Sequence, residues 1–188
     1  MTATANPSSA RGIDVELSSA WDEEEGDRPS WLPDSAQCAG WLNAALGLLE
    51  QEQPYSISLR LTTAIESARL NAAYRGKDKP TNVLSFPVID SQAADAWQPP
   101  TSPEDESGNS AFLGDLVLCP EIVEAEATEQ GKRLDAHWAH LVIHGLLHLL
   151  GYDHVTPLEA QEMESLEIDA LNSLGIADPY LLDSSSQR

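Results

Sequence analysis

Residues 144–154 read HGLLHLLGYDH, an otherwise largely apolar stretch that contains three histidines. His144 and His148 are four residues apart, so on a helix their rings lie on one face and can converge on one ion. Gly151 can adopt the left-handed backbone conformation at which helices commonly end, so the chain can reverse and bring His154 to the same point. The stretch therefore predicts the end of a helix with a three-histidine metal site beside it.

The pattern H-x-x-x-H-x-x-G-x-x-H is also the ligand spacing of the metzincin zinc site. Three neutral imidazoles that leave one coordination position open are typical of a catalytic zinc, because structural zinc sites are usually closed by four protein ligands. We therefore predict one Zn2+ per chain, bound by His144, His148 and His154. The alternative is a set of hydrogen-bonded core histidines, which explains this spacing around a helix-ending glycine less well.

Two further histidines share the predicted helix face. At about 100° per residue, His137 and His140 fall with His144 and His148 within an arc of roughly 80°. They belong to no ligand motif, so we expect them to pack or to support the ligands rather than to bind the metal.

Gly145 occupies the position at which metzincins have the glutamate that serves as general base of peptide hydrolysis. A bound metal can still lower the pKa of water and polarise a phosphoryl oxygen without that glutamate. The glycine therefore argues against a peptidase but not against a metal site.

Composition narrows the class of protein. The chain has 188 residues and a net charge of −21, with 31 acidic against 10 basic residues, which argues against a surface that coats nucleic acid generally. Two cysteines imply no disulfide framework, and the N-terminus lacks the apolar region of a secretory signal. The longest apolar stretch is too short to span a bilayer. We expect a soluble cytoplasmic protein with neither a membrane nor DNA as partner.

Apolar periodicity and capping residues predict an α+β fold, a small four-stranded mixed sheet packed with about five helices, with the metal site at the C-terminal end of a central helix. The predicted strands are residues 12–18, 55–61, 82–89 and 112–120. The predicted helices run from Asp34 or Ser35 to about 50, from Thr62 or Thr63 to about 74, over 120–130, over 131–151 and over 157–174.

The chain is predicted to form one domain over residues 12–182. Residues 1–11 are small and polar and are expected to be disordered, and residues 183–188 are expected to be a loose tail. Residues 90–110, DSQAADAWQPPTSPEDESGNS, are polar and proline-rich without periodicity, which predicts a surface insertion.

HGLLHLLGYDH resembles the characteristic motif of the YbeY family of bacterial rRNA maturation factors. The resemblance continues upstream in LNAAYRGKDKPTNVLSFP (70–87) and LGDLVLCP (113–120), and downstream in MESLE (163–167) and LGIADPY (174–180). It covers roughly residues 55–180 and includes neither the N-terminal extension nor the 90–110 insertion.

The resemblance implies a single-strand-specific, metal-dependent endoribonuclease that matures the 3′ end of 16S rRNA and takes part in ribosome quality control. It implies RNA and ribosomal small-subunit components as partners, and zinc bound by His144, His148 and His154. It also implies a functional arginine, which falls on Arg75 in YRGKDKP.

Residues 60–79 could supply the cations that an RNA backbone requires. This segment contains five of the ten basic residues and only two acidic ones. Arg75 is the strongest candidate for phosphate binding, because a guanidinium can hold two phosphate oxygens at once. Arg69 and the two lysines, taken singly, are better explained as solvated surface residues.

Several other polar residues have structural interpretations. Glu164 and Glu167, on the last helix, are expected to face solvent or to pair locally. Asn71 and Asn82 are expected to serve turns and backbone bonding rather than base recognition. Asp153 either orients a ligand or caps the turn.

The favoured hypothesis is thus a zinc endoribonuclease, with attack either by water or by the ribose 2′-hydroxyl. One alternative is a ribosome-associated assembly factor whose metal is structural. The other is a metallopeptidase, which lacks the usual glutamate base at Gly145.

Overall fold

The computed structural model describes residues 12–21, 29–49, 54–88 and 110–181. The predicted disordered segment 1–11, the insertion 90–110 apart from its last residue, and the tail 183–188 lie outside the described residues. The one-domain organisation over 12–182 therefore stays a prediction.

The described residues form four strands and five helices, which confirms the predicted α+β class. In chain order these are β1 Ile13–Ser19, α1 Ser35–Leu48, β2 Tyr55–Leu61, α2 Ala64–Arg75, β3 Val83–Pro87, β4 Ala111–Leu118, α3 Pro120–Glu129, α4 Leu134–Leu149 and α5 Pro157–Ser173. Asp34 caps α1 and Thr63 caps α2 through their side-chain oxygens, one of the two predicted residues in each case. No helix in these described ranges is long and apolar enough to cross a membrane.

The four strands form a single mixed sheet in the order β1-β2-β4-β3. β1 runs parallel to β2 and β2 parallel to β4, whereas β3 is antiparallel to β4. β2 shows the alternation of a strand with one buried face, since Tyr55, Ile57, Leu59 and Leu61 are buried and the residues between them are half-buried.

The position of Gly114 in β4 explains why the LGDLVLCP segment contains a glycine. It lies in β4 opposite Pro87 of β3, with φ 136°, and an added Cβ would collide with the backbone carbonyl oxygen of Phe86. Only glycine combines that backbone conformation with so close an approach of two strands. The β3–β4 pairing, which places β3 beside the metal site, therefore requires it.

The central helix α4 begins three residues later than the sequence predicts. The prediction placed residues 131–151 in one helix, but α4 covers Leu134–Leu149. Gly131 has φ 63°, and the backbone N–H of Lys132 donates to the carbonyl of Ala127, so residues 130–132 form the C-terminal turn of α3. The preceding helix therefore uses the residues that the periodicity assigned to the start of α4.

α4 lies at the centre of the fold, in contact with β3 and β4 on the sheet and with α1, α3 and α5 around it. Trp138, Val142, Ile143 and Leu146 are among its fully buried side chains. Gly145 marks its closest approach to the sheet.

A Cβ added at Gly145 would lie 2.8 Å from Leu116 Cδ2 and 3.4 Å from Val83 Cγ2. Leu116 is itself fully buried in β4, so it has little room to move. The position that holds the metzincin glutamate thus packs on the sheet in this protein, and any side chain there would have to displace Leu116.

We expect Gly145→Ala to lower the free energy of unfolding and Gly40→Ala to raise it. Gly40 is exposed in the middle of α1 with no atom near an added Cβ, so alanine there gains helix propensity, up to about 1 kcal/mol. At Gly145 overpacking of a filled core, which costs about 1–3 kcal/mol, should outweigh the same gain. Urea unfolding of both variants measures the difference; an equal increase in both would show that Leu116 and Val83 adjust without cost.

Candidate metal centre and active site

The first two predicted ligands project from the last two turns of α4. His144 and His148 have ring centroids 4.6 Å apart, and their Nε2 atoms are separated by 3.1 Å. This is the convergence that the four-residue spacing predicts for one helix face.

The third predicted ligand reaches the pair through the turn that ends α4. Gly151 has φ 88°. Its N–H donates to the carbonyl oxygen of His148 at 3.1 Å, and the N–H of Tyr152 donates to the carbonyl oxygen of Leu147 at 2.9 Å. These are the two hydrogen bonds of a Schellman motif, which reverses the chain at a left-handed glycine. The motif confirms Gly151 as the helix-ending residue.

After this turn the ring of His154 lies 5.7 Å from that of His144 and 5.1 Å from that of His148. One ring nitrogen from each of the three histidines lies within 4.8 Å of the others, so the trio could hold one metal ion. The prediction of a possible metal site near the end of the central helix is confirmed, whereas the identity of the metal is a separate question.

The other ring nitrogens of the first two histidines are held by hydrogen bonds. His148 Nδ1 donates to the carbonyl oxygen of Tyr152 at 3.0 Å, and His144 Nδ1 donates to a carboxylate oxygen of Glu167 at 2.7 Å. A carbonyl and an ionised carboxylate only accept, so Nδ1 carries a proton in both rings and the two Nε2 atoms face each other.

His148 is well suited to bind a cation over a wide pH range. Burial and the neighbouring rings of His144 and His154 lower the pKa of His148 from 6.5 to about 4. Its imidazole is therefore neutral well below the ordinary histidine range, and only a neutral imidazole can be a ligand.

The sequence prediction for Glu167, that it faces solvent or pairs locally, is wrong. Its side chain is 1% exposed and accepts hydrogen bonds from His144 Nδ1, from His140 Nε2 at 2.9 Å, and from the hydroxyl of Tyr180. Glu164, one turn earlier, is exposed as expected.

A signal for the burial of Glu167 was present in the sequence. Met163 and Leu171 lie four residues before and after it, and both are buried with Ala170 on the same face of α5. Burial raises the pKa of Glu167, but the hydrogen bonds from His140 and His144 outweigh that effect and lower it to about 2. The carboxylate is therefore charged inside the protein.

His137 and His140 support neighbouring groups, as expected, and do not join the triad. His140 bonds to Glu167, and His137 Nε2 donates to Glu126 at 2.9 Å. Asn82 contacts the same Glu126 carboxylate through Nδ2 at 3.0 Å, while its Oδ1 accepts from the N–H of Val83. Asn82 thus has the structural role that the sequence predicted.

The three histidines open into a cavity of about 480 Å³, here called the metal cavity, and Arg75 lines it with them. Its other lining residues are Asn82, Val83, Ser85, Pro87, Gly151, Tyr152 and Asp153. Asp153 Oδ1 accepts from the N–H of His154 at 2.8 Å, so it caps the turn, which is one of its two predicted roles.

Arg75 is the last residue of α2 and is exposed. The loop that follows is tied to α2, because Asn71 Nδ2 donates to the carbonyl of Lys79 at 2.7 Å and Ser67 exchanges hydrogen bonds with the backbone of Thr81. The structure therefore brings Arg75, at the end of α2, to the same cavity as the histidines, although they are distant in sequence.

Comparison with known proteins shows the family to which the chain belongs. Residues 32–175, more than half of the chain, match the family described as endoribonuclease YbeY. Among solved structures, the solution structure of TM1509 from Thermotoga maritima has 21% sequence identity and a TM-score of 0.47; the alignment covers 90% of this chain and 99% of that one. The family match confirms the resemblance seen in the sequence motifs. This chain therefore belongs to the endoribonuclease YbeY family, which supports an endoribonuclease role in rRNA processing.

Proposed function

We propose that this protein is a zinc-dependent endoribonuclease specific for single-stranded RNA, which acts in 16S rRNA 3′-end maturation and in ribosome quality control. One observation carries the proposal: three histidine nitrogens lie within 4.8 Å of one another in a cavity that Arg75 also lines. A cation site and a phosphate-binding side chain in one cavity suit cleavage of a phosphodiester. In this proposal the protein works in the cytoplasm, with small-subunit components as partners.

The residues present fit zinc. Three neutral imidazoles are a usual donor set for a zinc ion with an open coordination position. The buried charge of Glu167, next to His144, would also be offset by a cation at the triad, and a buried carboxylate requires such compensation. When bound, zinc supplies a Lewis acid for a phosphoryl oxygen and lowers the pKa of a water molecule.

The role of Glu167 in this proposal is to position His144. Its carboxylate keeps the proton of His144 on Nδ1 and prevents the ring from turning, so that Nε2 faces the metal position. The Tyr152 carbonyl does the same for His148.

The role of Arg75 is to bind the scissile phosphate. It forms no ion pair with a described residue, so its guanidinium is available to two phosphate oxygens at once. Charge that develops on the phosphoryl group during cleavage would then be stabilised by a group already in place.

The peptidase hypothesis has no support from the site. The position of the metzincin base is occupied by Gly145, where even a methyl group would meet Leu116. The assembly-factor hypothesis assumes a structural metal, so it predicts that the protein unfolds when the metal is removed. Our proposal predicts that the protein loses activity and keeps its fold.

We expect carefully purified protein to contain about one zinc per chain, and His148→Ala to lose it while retaining its helical circular dichroism. The reason is that His148 contacts both other rings of the triad. Chelation of the wild type should abolish RNA cleavage while the helical signal at room temperature is retained; the melting temperature should fall only by the stabilisation that a bound ligand gives the folded state. Parallel loss of melting temperature and helical signal would favour the structural-metal assembly factor, and protein that neither contains nor takes up zinc would contradict the proposal.

We expect Glu167→Gln to weaken zinc binding by about 10–100-fold, the usual effect of losing such a partner. An amide has one acceptor oxygen for three donors, and its NH2 group would favour a His144 ring protonated on Nε2, which cannot bind the metal. Competition with a chromophoric chelator measures the affinity. Glu164→Gln, exposed on the same helix, is the matched control; equal affinities in the two variants would show that Glu167 does not position the ligand.

We expect Arg75→Ala to reduce RNA cleavage tenfold or more, equivalent to about 1.4 kcal/mol of transition-state stabilisation, with zinc content and folding retained. Arg75→Lys should recover only part of the rate, because an ammonium cannot bind two oxygens in the same way. Arg69→Ala, exposed on α2, is the control and should have a mild effect. Wild-type cleavage by Arg75→Ala, or loss of zinc together with activity, would exclude the phosphate-binding role.

A further inference from the structure

A second open cavity adjoins the metal cavity. It has a volume of about 360 Å³ and shares Asn82, Val83 and His144 with the metal cavity. Lys132 and Tyr180 line its far side, and we call it the side groove. Because the two cavities share walls, a chain bound at the histidines can continue into the side groove without leaving the surface.

The side groove contains a cation that is not committed to an ion pair. Lys132 is half-buried and forms no salt bridge with a described residue, whereas its neighbour Arg133 pairs with Asp135 at 2.6 Å. Of the seven described Lys and Arg residues, Lys132 and Arg133 alone lie outside the 60–79 segment. The chain has a net charge of −21, so an ammonium without an ion pair distinguishes this groove from the mostly acidic surface.

The carboxylates around Lys132 are occupied by other donors. Glu126 accepts from His137 and Asn82, and Asp178 accepts from the N–H of Tyr180 at 2.8 Å. Lys132 also contributes to the lowered pKa of Glu126, after the hydrogen bonds that counter its burial. Glu126 also lines the groove and keeps its negative charge, but its hydrogen bonds go to His137 and Asn82, so the ammonium of Lys132 remains open to an anion.

Tyr180 supplies a fixed aromatic surface next to this cation. Tyr180 is 42% exposed. Its hydroxyl donates to buried Glu167, and its ring packs edge-on against the ring of His140, with centroids 5.5 Å apart. A ring that is anchored at its hydroxyl yet partly open to solvent can stack with a base at little entropic cost.

We propose that the side groove binds the part of a single-stranded RNA that extends beyond the scissile phosphate, with a backbone phosphate at Lys132 and a base on Tyr180. The inference rests on the proposed function, since it assigns the path of the same substrate. A groove that offers an ammonium and an aromatic ring combines the two kinds of contact that proteins use to bind unpaired strands, because any base offers a face for stacking. A duplex, whose bases are already stacked, cannot use Tyr180 in this way.

The strand has room to continue past Lys132. A third cavity, of about 660 Å³, shares Lys132, His137, His140 and Pro179 with the side groove and extends to Trp41 and Ile176. The three cavities thus adjoin one another along the described surface, from Arg75 and the triad to Lys132 and beyond. RNA of increasing length should therefore gain affinity from contacts remote from the metal.

Binding of fluorescent 2′-O-methyl oligoribonucleotides to the zinc-loaded protein tests this path. Strands of about 3 and about 12 nucleotides, the first shorter than the usual binding site for a single strand and the second within its range, are titrated at several salt concentrations, and their integrity is checked afterwards. We expect Lys132→Ala to weaken binding of the longer strand at least threefold and to reduce the steepness of its salt dependence by about 0.7, the value for one lost phosphate contact.

Tyr180→Ala should weaken binding of the longer strand at least fivefold, and Tyr180→Phe, which retains the ring, should bind more tightly than Tyr180→Ala. Arg69→Ala is the control for loss of one positive charge, because Arg69 lines none of the three cavities. The same ratio of affinities for the long and short strands in wild type, Lys132→Ala and Tyr180→Ala would overturn the inference.

The outcomes also separate this inference from the proposed function. If Arg75→Ala weakens RNA binding and Lys132→Ala does not, the side groove is not on the RNA path although the protein is an RNA-binding enzyme. If wild-type protein binds no strand of either length and cleaves none, the proposed function and the inference are both wrong.

Discussion

The carboxylate of Glu167 is the interaction on which the rest of the candidate site depends. It lies on α5, is almost fully buried, and accepts hydrogen bonds from two histidines of α4 and from the hydroxyl of Tyr180. A charged group can remain in a protein interior only when it is paired and hydrogen-bonded. The two helices and the segment after α5 must therefore keep these positions together, and the orientation of His144 follows from them.

A second constraint acts on another face of α4. Gly145 lets the helix approach Leu116 and Val83 so closely that a side chain at this position would meet them. Ser85 of β3 also donates to the carbonyl of Gly145 at 3.3 Å. Since α4 contacts the sheet on one side and Glu167 on the other, its rotation is restricted, and the histidines face the cavity with little freedom.

Charge is distributed in a way that suits selective RNA binding. The chain has 31 acidic and 10 basic residues, so most of its surface should repel a phosphate backbone. Two of the cations in the described part of the chain, Arg75 and Lys132, line adjoining cavities, and neither forms an ion pair with a described residue. Repulsion from the acidic remainder of the surface would favour binding of a polyanion along these cavities, where cations without an ion pair are available.

The sequence by itself determined the features that depend on nearby residues. The ligand spacing, the turn at Gly151 and the caps at Asp34 and Thr63 each involve residues only a few positions apart, so periodicity and residue type were sufficient to predict them. Tertiary structure decided the rest. Glu167 is 23 residues from His144 and 27 from His140, and its burial beside Met163 could be inferred from periodicity while its partners could not. Likewise, only the packing of the helices and strands around one sheet brings Arg75 and Lys132 to cavities that share His144, because contacts between remote segments depend on the whole core and not on local pattern.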